Sequence, residues 1–142
     1  MVTMSTSLSP TTAAPVSEPV TTLPAMKRIL IAEDNDDLRL IFSYALKADF
    51  DIQVAVNGKI ALDMIYANPP DLLVLDINMP VMSGIDVIRA LKSHAVPYPM
   101  KIVVVTGNAV AIQYEELDKA DLVLMKPVST HELNKLVTRL LS

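Results

Sequence analysis

Four short apolar runs carry no polar alternation: Ile29 to Ala32, Leu72 to Leu75, Ile102 to Val105 and Leu122 to Met125. A half-wet strand alternates apolar and polar positions, so unbroken runs of this length predict strands covered on both faces, as in a parallel sheet. Ile52 to Val56 does alternate and predicts a fifth, more exposed strand. Between the runs the pattern turns helical. Leu38, Ile41, Phe42, Ala45 and Leu46 form a first stripe, with Asn35 or Asp36 placed as its N-cap. Asn57-Gly58 opens a short helix carrying Ala61, Leu62 and Ile65, which Asn68-Pro69-Pro70 closes. Gly84 opens a third with Ile85, Ile88 and Leu91, and Val96-Pro97-Tyr98-Pro99 returns the chain to a strand. Ala109 to Lys119 predicts a fourth helix on the weakest periodicity. The last is the clearest: Leu133, Leu136, Val137, Leu140 and Leu141 make one stripe, with Ser129 and Glu132 spaced as a capping box. Five strands alternating with five helices imply an α/β, doubly wound, five-stranded parallel sheet with right-handed crossovers.

Each unbroken run stops at a polar residue: Glu33-Asp34, Asp76, Thr106 and Lys126. In an open α/β sheet the carboxyl ends of the strands share one edge, where ligands bind. Acid, hydroxyl and ammonium therefore converge there. Three clustered carboxylates repel one another at low effective dielectric, and the cluster calls for a cation. Oxygen ligands without His or Cys favour a hard ion, Mg²⁺ above all. Acids that merely cap helices explain one such residue easily and three poorly.

At 142 residues the chain has the size of one domain, too short for this fold plus a separate output domain. Net charge is −4 and the twelve basic residues are scattered, so a nucleic-acid surface is not expected, nor is a membrane partner, since no apolar run approaches spanning length. Cysteine is absent, which excludes a disulfide framework and a thiolate metal site and suits the cytoplasm. Met1 to Ala25 is built from Ser, Thr, Pro, Ala and Val, with Pro10, Pro15, Pro19 and Pro24 interrupting any periodic pattern. It is expected to be a disordered or extended tail, leaving 26–142 as the folded unit. The first basic residue is Lys27, so a secretory signal is not expected.

The segments Ile29-Leu30-Ile31-Ala32-Glu33-Asp34-Asn35, Val74-Leu75-Asp76-Ile77-Asn78-Met79-Pro80-Val81-Met82-Ser83-Gly84, Val104-Val105-Thr106-Gly107 and Met125-Lys126-Pro127 stand in that order. Together they resemble the receiver domain of two-component response regulators, from about Lys27 to Leu141. The resemblance implies strand order 2-1-3-4-5, which makes strands one and three neighbours and brings Glu33, Asp34 and Asp76 to the topological switch point. It implies a single-domain response regulator that takes a phosphoryl group from a histidine kinase or phosphotransfer protein onto Asp76 and signals to a downstream protein. Such a chain is a phosphoacceptor and not an enzyme with a separate substrate. Asp34 and Asp76 would ligate Mg²⁺ directly, Glu33 through water and Asn78 through its backbone carbonyl. Thr106, the Gly107 amide and Lys126 would bind the phosphoryl oxygens, with the Lys126-Pro127 bond in cis. Asn78 and Asn108 flank the site where the family tunes dephosphorylation, and as neither is an acid or base, slow hydrolysis is expected.

Other signals point elsewhere and are weaker. Ser129-Thr130-His131-Glu132-Leu133 superficially matches a histidine-kinase phosphoacceptor segment but falls where the last helix begins and lacks the following proline. Asp76-Ile77-Asn78 is similar to the aspartyl-phosphate hydrolases, which place a second Asp where Asn78 stands. No Gly-rich loop follows the first strand, so a nucleotide or flavin site is not supported. His94 reads as a dipole partner at a helix end.

The chain departs from the family in its readout. Val123 occupies the switch position where Tyr or Phe usually moves inward, Val128 stands where Phe is usual, and the stretch from Thr106 to Lys126 is slightly short. An altered response is expected there, through another residue such as Tyr114, or else an interaction module whose partner binding ignores phosphorylation.

Overall fold

A computed structural model describes residues 25–142; the tail expected over Met1 to Ala25 lies almost wholly outside the described residues. The five strands are β1 (Arg28–Ala32), β2 (Asp51–Ala55), β3 (Leu72–Asp76), β4 (Lys101–Thr106) and β5 (Leu122–Met125). They form one parallel sheet in the order β2-β1-β3-β4-β5, as the resemblance implied. The helices are α1 (Asp36–Leu46), α2 (Gly58–Ala67), α3 (Gly84–Ser93) and α4 (Thr130–Leu141).

Successive strand residues point to opposite faces, and this splits the core in two. Leu30, Ala32, Leu73, Leu75 and Val104 pack under α2 and α3, while Ile29, Ile31, Val74, Val103 and Val105 pack under α1 and α4. Both sets are buried, which explains why the central strands lack alternation. β2 lies at the sheet edge and is half exposed, as its alternation predicted. Asn35 rather than Asp36 caps α1, its side chain accepting from the Leu38 amide. Asn57 and Ser129 cap α2 and α4 in the same way. A reciprocal capping box is formed by Ser83 and Asp86 ahead of α3, a pair the sequence reading passed over. Ile41, placed on the α1 stripe from spacing, is instead exposed.

The helix expected over Ala109 to Lys119 does not form. Two 3₁₀ segments, Ala109–Gln113 and Glu115–Lys119, take its place, separated by Tyr114. Each buries a single anchor, Ala111 in the first and Leu117 in the second, and two isolated anchors cannot supply the continuous stripe that supports a short α-helix.

The β3–α3 loop carries a local conflict. Val81 has φ 68°, and the Met82 amide donates to the Pro80 carbonyl across it at 2.7 Å, the pattern of a γ-turn. A β-branched side chain disfavours this region, and Val81, being exposed, recovers nothing by packing. Val81→Gly is expected to raise the urea midpoint, with a net gain of about 1 kcal/mol after the greater chain entropy of glycine is subtracted. An unchanged or lower midpoint would show that the loop relaxes around valine without cost.

Candidate functional site

The sheet register builds the site. Ala32 lies opposite Leu75, so the residues that follow, Glu33 and the strand-ending Asp76, emerge at one level. Thr106 lies opposite Met125, which brings Gly107 and Lys126 alongside. Glu33, Asp34 and Asp76 each offer a carboxylate oxygen, and these oxygens lie within 4.8 Å of one another. Glu33 and Asp76 are buried, at 1% and 3% exposure, while Asp34 is exposed. An open cleft above them is lined also by Asn78, Gly107, Asn108 and Lys126.

Lys126 crosses from the end of β5 and donates from Nζ to Glu33 Oε1 at 3.1 Å and to Asp76 Oδ1 at 3.3 Å. Its own amide donates to the Thr106 carbonyl at 2.8 Å, and the Lys126-Pro127 bond is cis. Glu33 Oε2 accepts from the Asn35 amide at 3.1 Å, so both of its oxygens already have protein donors. Asp76 uses Oδ1 toward Lys126, which leaves Oδ2 for another partner. The oxygens open to a cation thus belong mainly to Asp34 and Asp76, with Glu33 suited to contact through water, a donor set that fits a hard divalent ion.

Charge is incompletely balanced. Burial, and then the charge of Glu33, raises the Asp76 carboxyl from 3.8 to about 6 against the opposing pull of Lys126. Burial draws the Lys126 ammonium down, but the hydrogen bond to Glu33 and the charge of Asp76 outweigh it and hold the group above its ordinary range. One ammonium is shared between two buried acids, and a third acid stands beside them.

Thr106 is fully buried at the end of β4, and its Oγ1 accepts from the Asn108 amide at 3.0 Å. Asn108 Oδ1 in turn accepts from the Val110 amide and caps the first 3₁₀ segment. Asn78 is exposed at the cleft rim. Val123 is half buried and packs against the core under α2 and α3, and Tyr114 is exposed near Asn78 and Asn108. His131 is exposed in the first turn of α4, and His94 caps α3, its ring edge-on to Tyr66.

Two glycines were legible only as punctuation but have a steric duty. A Cβ on Gly84 would overlap the Asp76 carbonyl oxygen, and one on Gly58 would overlap the Met82 carbonyl oxygen. Gly84 therefore lets α3 start directly against the residue that carries the acid. Gly107 has room for a Cβ, its nearest neighbours being Lys126 carbons at 3.9 Å. Sequence reasoning also passed over Arg39, whose Nη1 donates to the carbonyls of Glu33 at 2.9 Å and Asp34 at 3.3 Å.

Residues 29–138 match the response regulator receiver domain family. The sensor histidine kinase TmoS of Ectopseudomonas mendocina is 34% identical over 120 residues, which cover 81% of this chain and 12% of the kinase. The regulatory protein AtoC of Escherichia coli (strain K12) is 34% identical over 121 residues, covering 82% of this chain and 26% of AtoC. The chain therefore spans only a small part of these relatives. Among solved structures, the response regulator TrrA of Thermotoga maritima, in complex with Mg²⁺ and BeF, superposes with a TM-score of 0.72 at 30% identity, covering 81% of this chain and 99% of TrrA. The chemotaxis response regulator CheY4 of Vibrio cholerae gives a TM-score of 0.73 at 25% identity over 81% of this chain and 98% of CheY4. The acidic cluster, the sheet order and these matches agree, and the chain belongs to the response regulator receiver domain family.

Proposed function

We propose that residues 26–142 act as a cytoplasmic response regulator receiver whose Asp76 accepts a phosphoryl group from the phosphohistidine of a histidine kinase or phosphotransfer protein, and which signals through protein contacts. The observation that carries this reading is the convergence of Glu33, Asp34 and Asp76 within 4.8 Å at a strand-end cleft, with Lys126 reaching into it. Among the described residues no helix is long and apolar enough to cross a membrane.

Asp34, Asp76 through its free oxygen and the Asn78 carbonyl would hold Mg²⁺, with Glu33 contributing through water. Bound there, the ion would offset charge on the carboxylate and phosphoryl oxygens, so that one anion can approach another. An Asp76 oxygen attacks phosphorus, forming the acyl phosphate, while the phosphorus–nitrogen bond breaks and the imidazole leaves with a proton. Lys126 then exchanges its hold on Asp76 for the phosphoryl oxygens, which the Gly107 amide and the Thr106 hydroxyl also bind. Asn78 and Asn108, at the cleft rim, offer amides and no general base for water, which supports slow hydrolysis. Incubation with a small phosphodonor tests the reading: mass spectrometry should show one phosphoryl group, dependent on Mg²⁺ and lost in alkali. Labelling that is indifferent to chelator would refute the Mg²⁺ role, and a label stable to alkali would refute an acyl phosphate.

A second reading, a module whose partner binding ignores phosphorylation, is favoured by Val123 and by the two 3₁₀ segments in place of a helix. Phosphate can shift an equilibrium only through contacts that differ between two arrangements. Valine is stiff at χ1 and half buried here, so it has little to swing. Addition of beryllofluoride is expected to move Thr106 and Gly107 to Ala111 while Val123 keeps its rotamer and α4 stays in place, as read by methyl NMR. Large shifts at Val123 or along Leu133 to Leu140 would remove the main support for the phosphorylation-independent reading.

A further inference from the structure

Arg39 lies one turn into α1, its side chain only 18% exposed and folded back over the β1–α1 turn. A single guanidinium nitrogen donates to two consecutive backbone carbonyls, Glu33 at 2.9 Å and Asp34 at 3.3 Å, while the other terminal nitrogen pairs with the Asp36 carboxylate. Its backbone amide makes the first hydrogen bond of α1, donating to the carbonyl of the N-cap Asn35 at 2.9 Å. We infer that Arg39 is a positioning residue for the cation site: it clamps the backbone of Glu33 and Asp34 so that both carboxylates face Asp76 although all three repel one another.

The turn needs such a clamp. Lys126 ties Glu33 and Asp76 together, and these ion pairs do not include Asp34. Repulsion from two neighbouring acids opposes holding the exposed Asp34 at the cleft, yet its oxygen stays within 4.8 Å of theirs. Holding the Glu33 and Asp34 carbonyls fixes the two peptide planes that meet at the Asp34 Cα, and with them the direction in which the Asp34 side chain leaves the backbone. The planar fork of arginine suits this task, since it presents several donors in a rigid arrangement that an ammonium lacks. Asp36, exposed on the first turn of α1, steers the guanidinium from its outer side.

A role as a clamp and a role as a charge predict opposite signs. A cationic group near the site repels Mg²⁺, so if Arg39 acted only through its charge, removing it would tighten binding and lysine would substitute for it. A clamp predicts weaker binding in both replacements. This inference rests on the Mg²⁺ reading above, and the parent protein with Asp34→Asn tests that reading separately. Mg²⁺ alone is titrated into the parent, Asp34→Asn, Arg39→Met and Arg39→Lys, following the amides of Asp34 and Asp76 by NMR, with thermal melts as the folding control. The expected result is saturable binding in the parent, its loss in Asp34→Asn, and affinity about tenfold weaker in both Arg39 variants, the scale typical of residues that orient metal ligands. In the metal-free spectra, the Asp34 and Asn35 amides should shift or broaden in both variants. Phosphoryl labelling at saturating Mg²⁺ should return to near the parental rate, because the ion then re-forms the turn. Parental affinity in Arg39→Lys, or equal or tighter binding in Arg39→Met, would overturn the clamp while leaving the Mg²⁺ site standing. Absence of binding by the parent would instead overturn the site itself and the clamp with it. Should Arg39→Met fail to fold, Arg39→Lys decides by the same criterion.

Discussion

Asp76→Asn is expected to abolish phosphoryl acceptance and, in chelator at pH 7, to make the protein more stable. The first effect follows from chemistry, since an amide oxygen cannot act as the attacking carboxylate and Glu33 has both of its oxygens engaged. The second follows from the site's electrostatics. Burial and the neighbouring Glu33 raise the Asp76 carboxyl from 3.8 to about 6, so the native state holds this proton more tightly than the unfolded chain does. The favourable contribution is fully present below 3.8 and is lost as pH rises through about 6. Above that window, ionised Asp76 costs the native state at most about 3 kcal/mol, the value of the whole shift at roughly 1.4 kcal/mol per unit. The neutral isostere escapes this cost. Urea denaturation at pH 7 and pH 4 measures it: the gain of Asp76→Asn should be roughly 1 to 3 kcal/mol at the higher pH and small at the lower. Equal midpoints at pH 7 would show that Lys126 fully compensates Asp76. Phosphate on the variant would move the acceptor elsewhere, with His131 the first residue to inspect.

Lys126→Met should act in the opposite direction on stability and in the same direction on function. Its ammonium is the only cation paired with Glu33 and Asp76 among the described residues, at 3.1 and 3.3 Å. Removing one partner of a buried pair leaves uncompensated charge, commonly several kcal/mol. Because the Lys126 side chain is partly exposed, the expected loss is about 1 to 3 kcal/mol at pH 7 without divalent cation. The sign with pH is fixed by Asp76. Without Lys126 pulling it down, its carboxyl rises further, and the variant's deficit should grow as pH climbs through about 6 and shrink near pH 4, where Asp76 is protonated in both proteins. At the proposed site Mg²⁺ would bind the native cluster and not the unfolded chain, and its addition should recover part of the loss by mass action. Labelling should slow by about a hundredfold or more, the usual effect of removing one preorganised charge from a transition state. Parental stability at every pH would mean that the ammonium contributes nothing to folding.

Much of this protein was legible before its fold. Strands buried on both faces announce themselves as unbroken apolar runs, and the polar residues that end them mark the site because strand ends share an edge. Asn35 and Ser129 were readable as caps because capping is a local hydrogen bond between residues three apart. The segment from Ala109 to Lys119 was misread because its buried anchors, Ala111 and Leu117, are each held by the tertiary core and not by a shared stripe. Ile41 shows the same limit from the other side: spacing put it on the apolar face of α1, but among the described residues it stays exposed.

The class of fold, the acids, hydroxyl and ammonium at strand ends, and the expectation of a hard cation were all readable from the chain alone, because they follow from local periodicity and from the chemistry of side chains. How the charges are shared became visible only in the folded protein. Lys126 reaches Glu33 across 93 residues of chain and Asp76 across 50, and such pairings depend on which strands become neighbours in the sheet, which no single segment shows. The raised carboxyl of Asp76 depends on its burial and on the charge of Glu33 beside it, and the bond from Arg39 to two carbonyls depends on the shape of a turn. Gly58 and Gly84 matter for a similar reason: their missing side chains are needed only where a distant backbone passes too close for a carbon atom to fit.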